Sequence, residues 1–182
     1  MLPLVNFIAF QAGWFGCVLN AAAGRPWTAA AIALAAATIL AWQHRDAGGS
    51  LRLLAVAVAL GALCDGSFVM GSLLHYPAGD WAPPLPPAWD LALWALFAST
   101  LNSVPGWLKA RSAIAALLGA AGGPLAYAGA AHLGALQLKD PSSTLLLLGG
   151  AWAIMTPLLL IVARRLDKRP ARAGEIASPR HV

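Results

Sequence analysis

The sequence predicts an all-α, polytopic membrane protein with six transmembrane helices, and three observations carry that reading. Apolar residues make up 59% of the 182-residue chain, charged residues only 10%, and the mean hydropathy is +0.69. A soluble domain needs roughly 25% charged residues to cover its surface, so this chain must turn apolar side chains towards lipid. Six apolar segments recur along it, each close to the roughly 20 residues that cross a bilayer. Between them lie short breaks of Gly, Pro and charge: "GRP", "HRDAGGS", "YPAGDWAPPLPP", "KARS" and "KDPSS".

The segments run Leu4–Ala22, Trp27–Trp42, Leu51–His75, Ala88–Trp107, Ala113–Leu136 and Thr144–Ala163. Helix is the expectation for each, because lipid offers no water to satisfy backbone groups and the alternation of a barrel strand is absent. The first segment is read as retained rather than cleaved. No Lys or Arg precedes it and Gln11 interrupts it, although "LNAAAG" ends in small residues. Residues 1–166 form one transmembrane domain, and 167–182, "DKRPARAGEIASPRHV", a polar, basic, disordered cytoplasmic tail.

The basic residues set the orientation. With the N-terminus inside, the inner loops and tail hold Arg45, Arg52, Lys109, Arg111, Arg164, Arg165, Lys168, Arg169, Arg172 and Arg180, and the outer loops only Arg25 and Lys139. Basic residues stay cytoplasmic, so both termini are expected there, in a multi-pass protein of the inner (cytoplasmic) membrane. The net charge of +5 therefore reports topology and not a nucleic-acid partner. Trp27 and Trp42, and Trp89 and Trp107, are spaced as interfacial aromatic belts, about 22–27 Å apart on a helix.

Polar groups inside the apolar segments are the candidate functional residues. Gln11 and Asn20 lie in the first segment, Asp65 in the third, Asp90 and Asn102 in the fourth, and Tyr127 and His132 in the fifth. Against acyl chains each is costly, so they should face a shared polar interior built by those four segments, with the second and sixth segments more lipid-facing. Asn, Gln, Ser and Thr there also serve as interhelical glue. Counting from their segment starts puts Asp65 and Tyr127 both near mid-bilayer and makes them partners, with His75, Asp90 and His132 nearer the outer face. A bare carboxylate at that depth must take a proton or find donors, and no Lys or Arg shares its depth. Asp65 is then either a structural hydrogen-bonded acid or a working proton site.

The G-x-x-x-G of Gly119 and Gly123 permits close helix contact, and Pro124 should kink the fifth helix. Cys17 and Cys64 read as small packing residues. No zinc spacing, P-loop, G-x-S-x-G or dinucleotide fingerprint occurs, so no cofactor and no metal are expected. "FGCVLNAAAG" (Phe15–Gly24) and "FASTLNSVPG" (Phe97–Gly106) match at Phe, Leu, Asn and Gly, which suggests a 3+3 inverted repeat.

Together "FQAGWFGCVLNAA", "CDGSFVMG", "PPAWDLALWALFASTLN" and "GGPLAYAGAAHLGA" resemble a bacterial inner-membrane family catalogued as domain of unknown function 2878, from Asn6 to about Pro157. The resemblance implies a small multi-pass inner-membrane protein and brings no reaction with it. The functional expectation is transport or lipid handling through a polar intramembrane cavity. Two alternatives stay open: an intramembrane enzyme acting on lipids, and a membrane scaffold or accessory subunit. Membrane lipids are the expected partners, with a lipid or small molecule as substrate. The sequence assigns neither an enzymatic activity nor an oligomeric state.

Overall fold

The structure, a computed structural model, describes residues 2–43, 47–79, 82–109 and 111–166. The basic tail and the "HRD" loop lie outside the described residues. Among those residues the chain is mostly helical: α1 (Leu2–Ala22), α2 (Pro26–Trp42), α3 (Ala47–Met70), α4 (Ala88–Leu101), α5 (Gly106–Lys109), α6 (Ser112–His132) and α7 (Pro141–Leu166), with one antiparallel ribbon of β1 (Leu74–His75) and β2 (Gln137–Leu138). Four helices, α1, α3, α6 and α7, are long and apolar enough to cross a membrane. The apolar helices α2 and α4 are shorter, at 17 and 14 residues.

Local chemistry explains where the helices depart from the expected segments. The third segment does not stay helical to His75. It ends at Met70, Ser72 turns with φ 54°, and the chain leaves as strand β1. The fourth segment does not run to Trp107. Pro105 disfavours helix at the residue before it, so α4 closes at Asn102 and the chain restarts as the short α5. α4 starts at Ala88, where the fourth segment is expected to begin, directly after Pro86 and Pro87. By contrast α6 runs unbroken through Pro124.

The loops gather at two ends. At one end β1 pairs with β2, and the backbone of Gly79 approaches Pro26, so the α1–α2 turn, the 71–87 loop and the α6–α7 connection lie together. At the other end Asn6 donates to Ser103 Oγ at 2.8 Å, Asn102 to Ser50 Oγ at 3.1 Å, and Lys109 to the Asn102 carbonyl at 3.3 Å.

Packing divides the helices unevenly. α2 lays its small-residue face, Ala29, Ala30, Ala33 and Ala37, against α1 and α4. α6 packs chiefly on α7, and α3 ties α4 to α7. The expectation that the second and sixth segments are the lipid-facing ones is therefore corrected. The alanine face of α2 makes it a packing helix, and α7 sends Trp152 and Thr156 inward. Small residues decide this, because in lipid helices associate through close backbone approach rather than hydrophobicity. A Cβ at Gly119 would collide with Thr156 and the Trp152 carbonyl, and one at Gly123 with the Trp152 ring.

Candidate functional site

α3 and α4 meet in a pair of carboxyl groups. Asp65 is completely buried, five residues before the end of α3, and Asp90 is 4% exposed, in the first turn of α4. The two side chains are in hydrogen-bonding contact. Asp65 Oδ2 accepts the Trp94 indole N–H and the Tyr127 hydroxyl, both at 2.7 Å. Asp65 Oδ1 and Asp90 Oδ2 are buried with no donor among the described residues. Two buried carboxyls in contact are costly when both are ionised, and a proton held by the pair relieves that cost.

Asp65 and Tyr127 meet as the segment counts imply, but nearer the ends of their helices than the middle. α3 begins at Ala47, earlier than Leu51, and each residue sits five from its helix's far end, about 7–8 Å along the axis. That shift also brings Asp90, expected nearer the outer face, to the same level.

Aromatic rings wall the pair. Trp94 stacks on Trp152 with centroids 4.7 Å apart, and Phe97 meets Trp152 edge-on at 5.1 Å. Trp94 covers Gly61 and Trp152 covers Gly123, so two glycines make room for the two indoles. Above the pair lies the 71–87 loop. Its Tyr76 is buried beside Asp90 and edge-on to Trp89 at 5.4 Å. Burial, then the neighbouring Asp90 and Asp65 carboxyls, pushes the Tyr76 phenol well above its usual range, so it remains a donor. Trp89 is not an interfacial residue as its spacing suggests. It is 1% exposed, and its indole donates to the Ala78 carbonyl at 3.1 Å. Trp27 and Trp42 are exposed at 67% and 85%.

A cavity of about 520 Å³ lies between α1, α4, α6 and α7. Phe10, Leu93, Phe97, Leu118, Leu125 and Leu160 make most of its wall apolar, and Asp90 and Tyr127 bring it polar groups. Its volume is in the range of small-molecule sites, about 300–1,000 Å³. α1 and α6 both border it, yet each packs mainly elsewhere, and Trp14 reaches across from α1 towards Gly129 of α6. Trp152 Nε1 and Thr156 Oγ1 are buried without partners and also border it.

The candidate residues divide accordingly. Gln11, Asp90 and Tyr127 line this cavity, and Asp65 stands directly behind. Asn20 is absorbed by its own helix, donating to the Gly16 carbonyl at 2.8 Å. Asn102 ties α4 to α3 at the opposite end. His132 is exposed at the last position of α6, and His75 is exposed on β1. Among the described residues no cluster of three or more metal-ligating side chains occurs. Sequence reasoning missed Trp94, Trp152 and Tyr76. One signal was available for the first: Asp90, Trp94 and Phe97 recur at helical spacing and share one face of α4.

Residues 3–158 match the family described as protein of unknown function DUF2878. No curated protein and no solved structure matches the chain.

Proposed function

The chain belongs to the DUF2878 family, and we propose that this member crosses the inner membrane six times and draws an amphiphilic molecule from the bilayer into the cavity between α1, α4, α6 and α7. The observation that carries the reading is the wall of that cavity: apolar along most of its surface, with one buried carboxyl, Asp90, whose Oδ2 accepts no hydrogen bond. An apolar lumen suits a hydrocarbon tail, and a few convergent polar groups orient a head. α2 and α4 complete the six spans. At 17 and 14 residues they are shorter than the other four. The gathering of the Arg25 turn, the 71–87 loop and Lys139 at one end supports both termini lying on the other, cytoplasmic side. Asn20 and Asn102, matched in the internal repeat, sit near the far ends of α1 and α4, as helices of inverted halves require.

Gly122 provides the test. It borders the cavity, and a Cβ there would meet nothing within 4 Å. Gly122→Phe should therefore fill the lumen without disturbing the bundle. Protein purified in mild detergent is expected to carry co-purifying lipid or metabolite visible by native mass spectrometry, and Gly122→Phe to lose it. Equal loading of both proteins would remove the cavity from the function.

A further inference from the structure

The charge inventory around the cavity is one-sided. Among the described residues no Lys, Arg or His borders it, and Asp90 is the charge-capable group that does, with Asp65 in contact behind it. The remaining titratable groups against the pair are Cys17 from α1, Cys64 from α3, Tyr76 from the 71–87 loop and Tyr127 from α6. None of these carries positive charge. Asp65 Oδ2 already has two donors in Trp94 and Tyr127, whereas Asp90 has the Tyr76 hydroxyl beside it and one buried oxygen, Oδ2, that accepts no hydrogen bond. The wall beside it is aromatic: Trp14, Trp94, Phe97, Tyr127 and Trp152. Ring faces attract cations and a carboxylate completes the attraction, most strongly where water is scarce. An anionic head would meet the acid pair with no counter-charge, which is the costly arrangement.

We infer that the cavity selects a lipophilic cation, an amphiphile with a protonated amine or quaternary ammonium head, which docks on Asp90 among the aromatic rings with its hydrocarbon part along α6 and α7. This rests on the cavity reading above and names its ligand class. The incoming cation takes the place of the proton held by the two carboxyls, which leaves to water, so the site together with its ligand carries the same net charge as the empty, protonated site.

Three probes with the same chain length separate the classes: dodecylamine, dodecanol and laurate, titrated at neutral pH and below micellar concentration into the full chain in mild detergent. Dodecylamine is expected to bind at least tenfold tighter than laurate and tighter than dodecanol. Asp90→Asn is expected to weaken dodecylamine at least tenfold while leaving dodecanol within about twofold. Laurate or dodecanol binding as tightly as the amine, or an unaltered amine affinity in Asp90→Asn, overturns the proposal. If that variant does not accumulate, the probe ranking on the unaltered chain decides alone. Gly122→Phe separates the two failures. Probes that bind in the wrong order but are expelled by Gly122→Phe leave the cavity reading standing. No binding by any probe, or binding indifferent to Gly122→Phe, removes the cavity reading and the ligand class together.

Discussion

At the residue scale the molecule turns on what Asp65 is bonded to. Its Oδ2 serves two buried donors at once, Trp94 and Tyr127, and its side chain also meets Asp90. Asp65→Ala would strand both donors, and each buried orphan costs about 1–3 kcal/mol. Asp65→Asn keeps an acceptor for them and supplies an amide N–H towards Asp90, while removing the proton site. Thermal unfolding in detergent should therefore rank Asp65→Asn close to the unaltered chain and Asp65→Ala well below both. Asp65→Asn should also insert at normal abundance yet fail to complement a deletion strain. Full complementation would reduce this carboxyl to packing. The carboxylate was visible in the sequence, and so was its need for donors. The identity of the second donor was not, because Trp94 reaches Asp65 from another helix, 29 positions along the chain.

At the scale of elements, the α6–α7 seam shows how neighbouring glycines take opposite roles. Gly123 is filled by the Trp152 ring, whereas Gly122 faces open space in the cavity. Gly123→Ala must displace a buried indole that also stacks on Trp94, and overpacking of this kind costs about 1–3 kcal/mol. Gly122→Ala adds helix propensity with no clash and should be neutral or stabilising by up to about 1 kcal/mol. Chemical unfolding midpoints in detergent micelles should move in opposite directions, or one should fall while the other stays. Equal destabilisation would contradict the seam. Five of the six expected segments correspond each to one helix, since hydropathy runs and breakers are local. The fourth is split at Pro105, and the third runs past its helix into a strand, because a hydropathy run does not show where capping and pairing end a helix.

For the whole molecule, the charge asymmetry and the loop geometry make one claim about orientation. Lys139 and Arg25 lie at the end that carries the β-ribbon, and Arg164 and Arg165 close α7 at the other. Reporter fusions at Lys139 and after Leu166 should report opposite sides of the membrane, with the C-terminal fusion cytoplasmic. A periplasmic C-terminal reporter would defeat the topology. The unevenness of the packing is a property of this scale as well. α2 closes tightly on α4, whereas α1 and α6 stand on either side of the cavity.

The sequence by itself determined the class of object: a chain with few charges to cover a surface, mostly helical, with four helices long and apolar enough to cross a membrane and a few polar groups inside its apolar segments. Those are consequences of composition and local order, because transfer into lipid and helix formation are decided over a dozen or two neighbouring residues. Only the tertiary structure decided that Asp90 meets Asp65, that Asn20 and His132 stand apart, and that α7 rather than α3 walls the cavity. Those outcomes depend on helix start points shifted by a few residues and on which small side chain lets two backbones close. A shift of four residues moves a group about 6 Å along a helix, which is enough to change its partner.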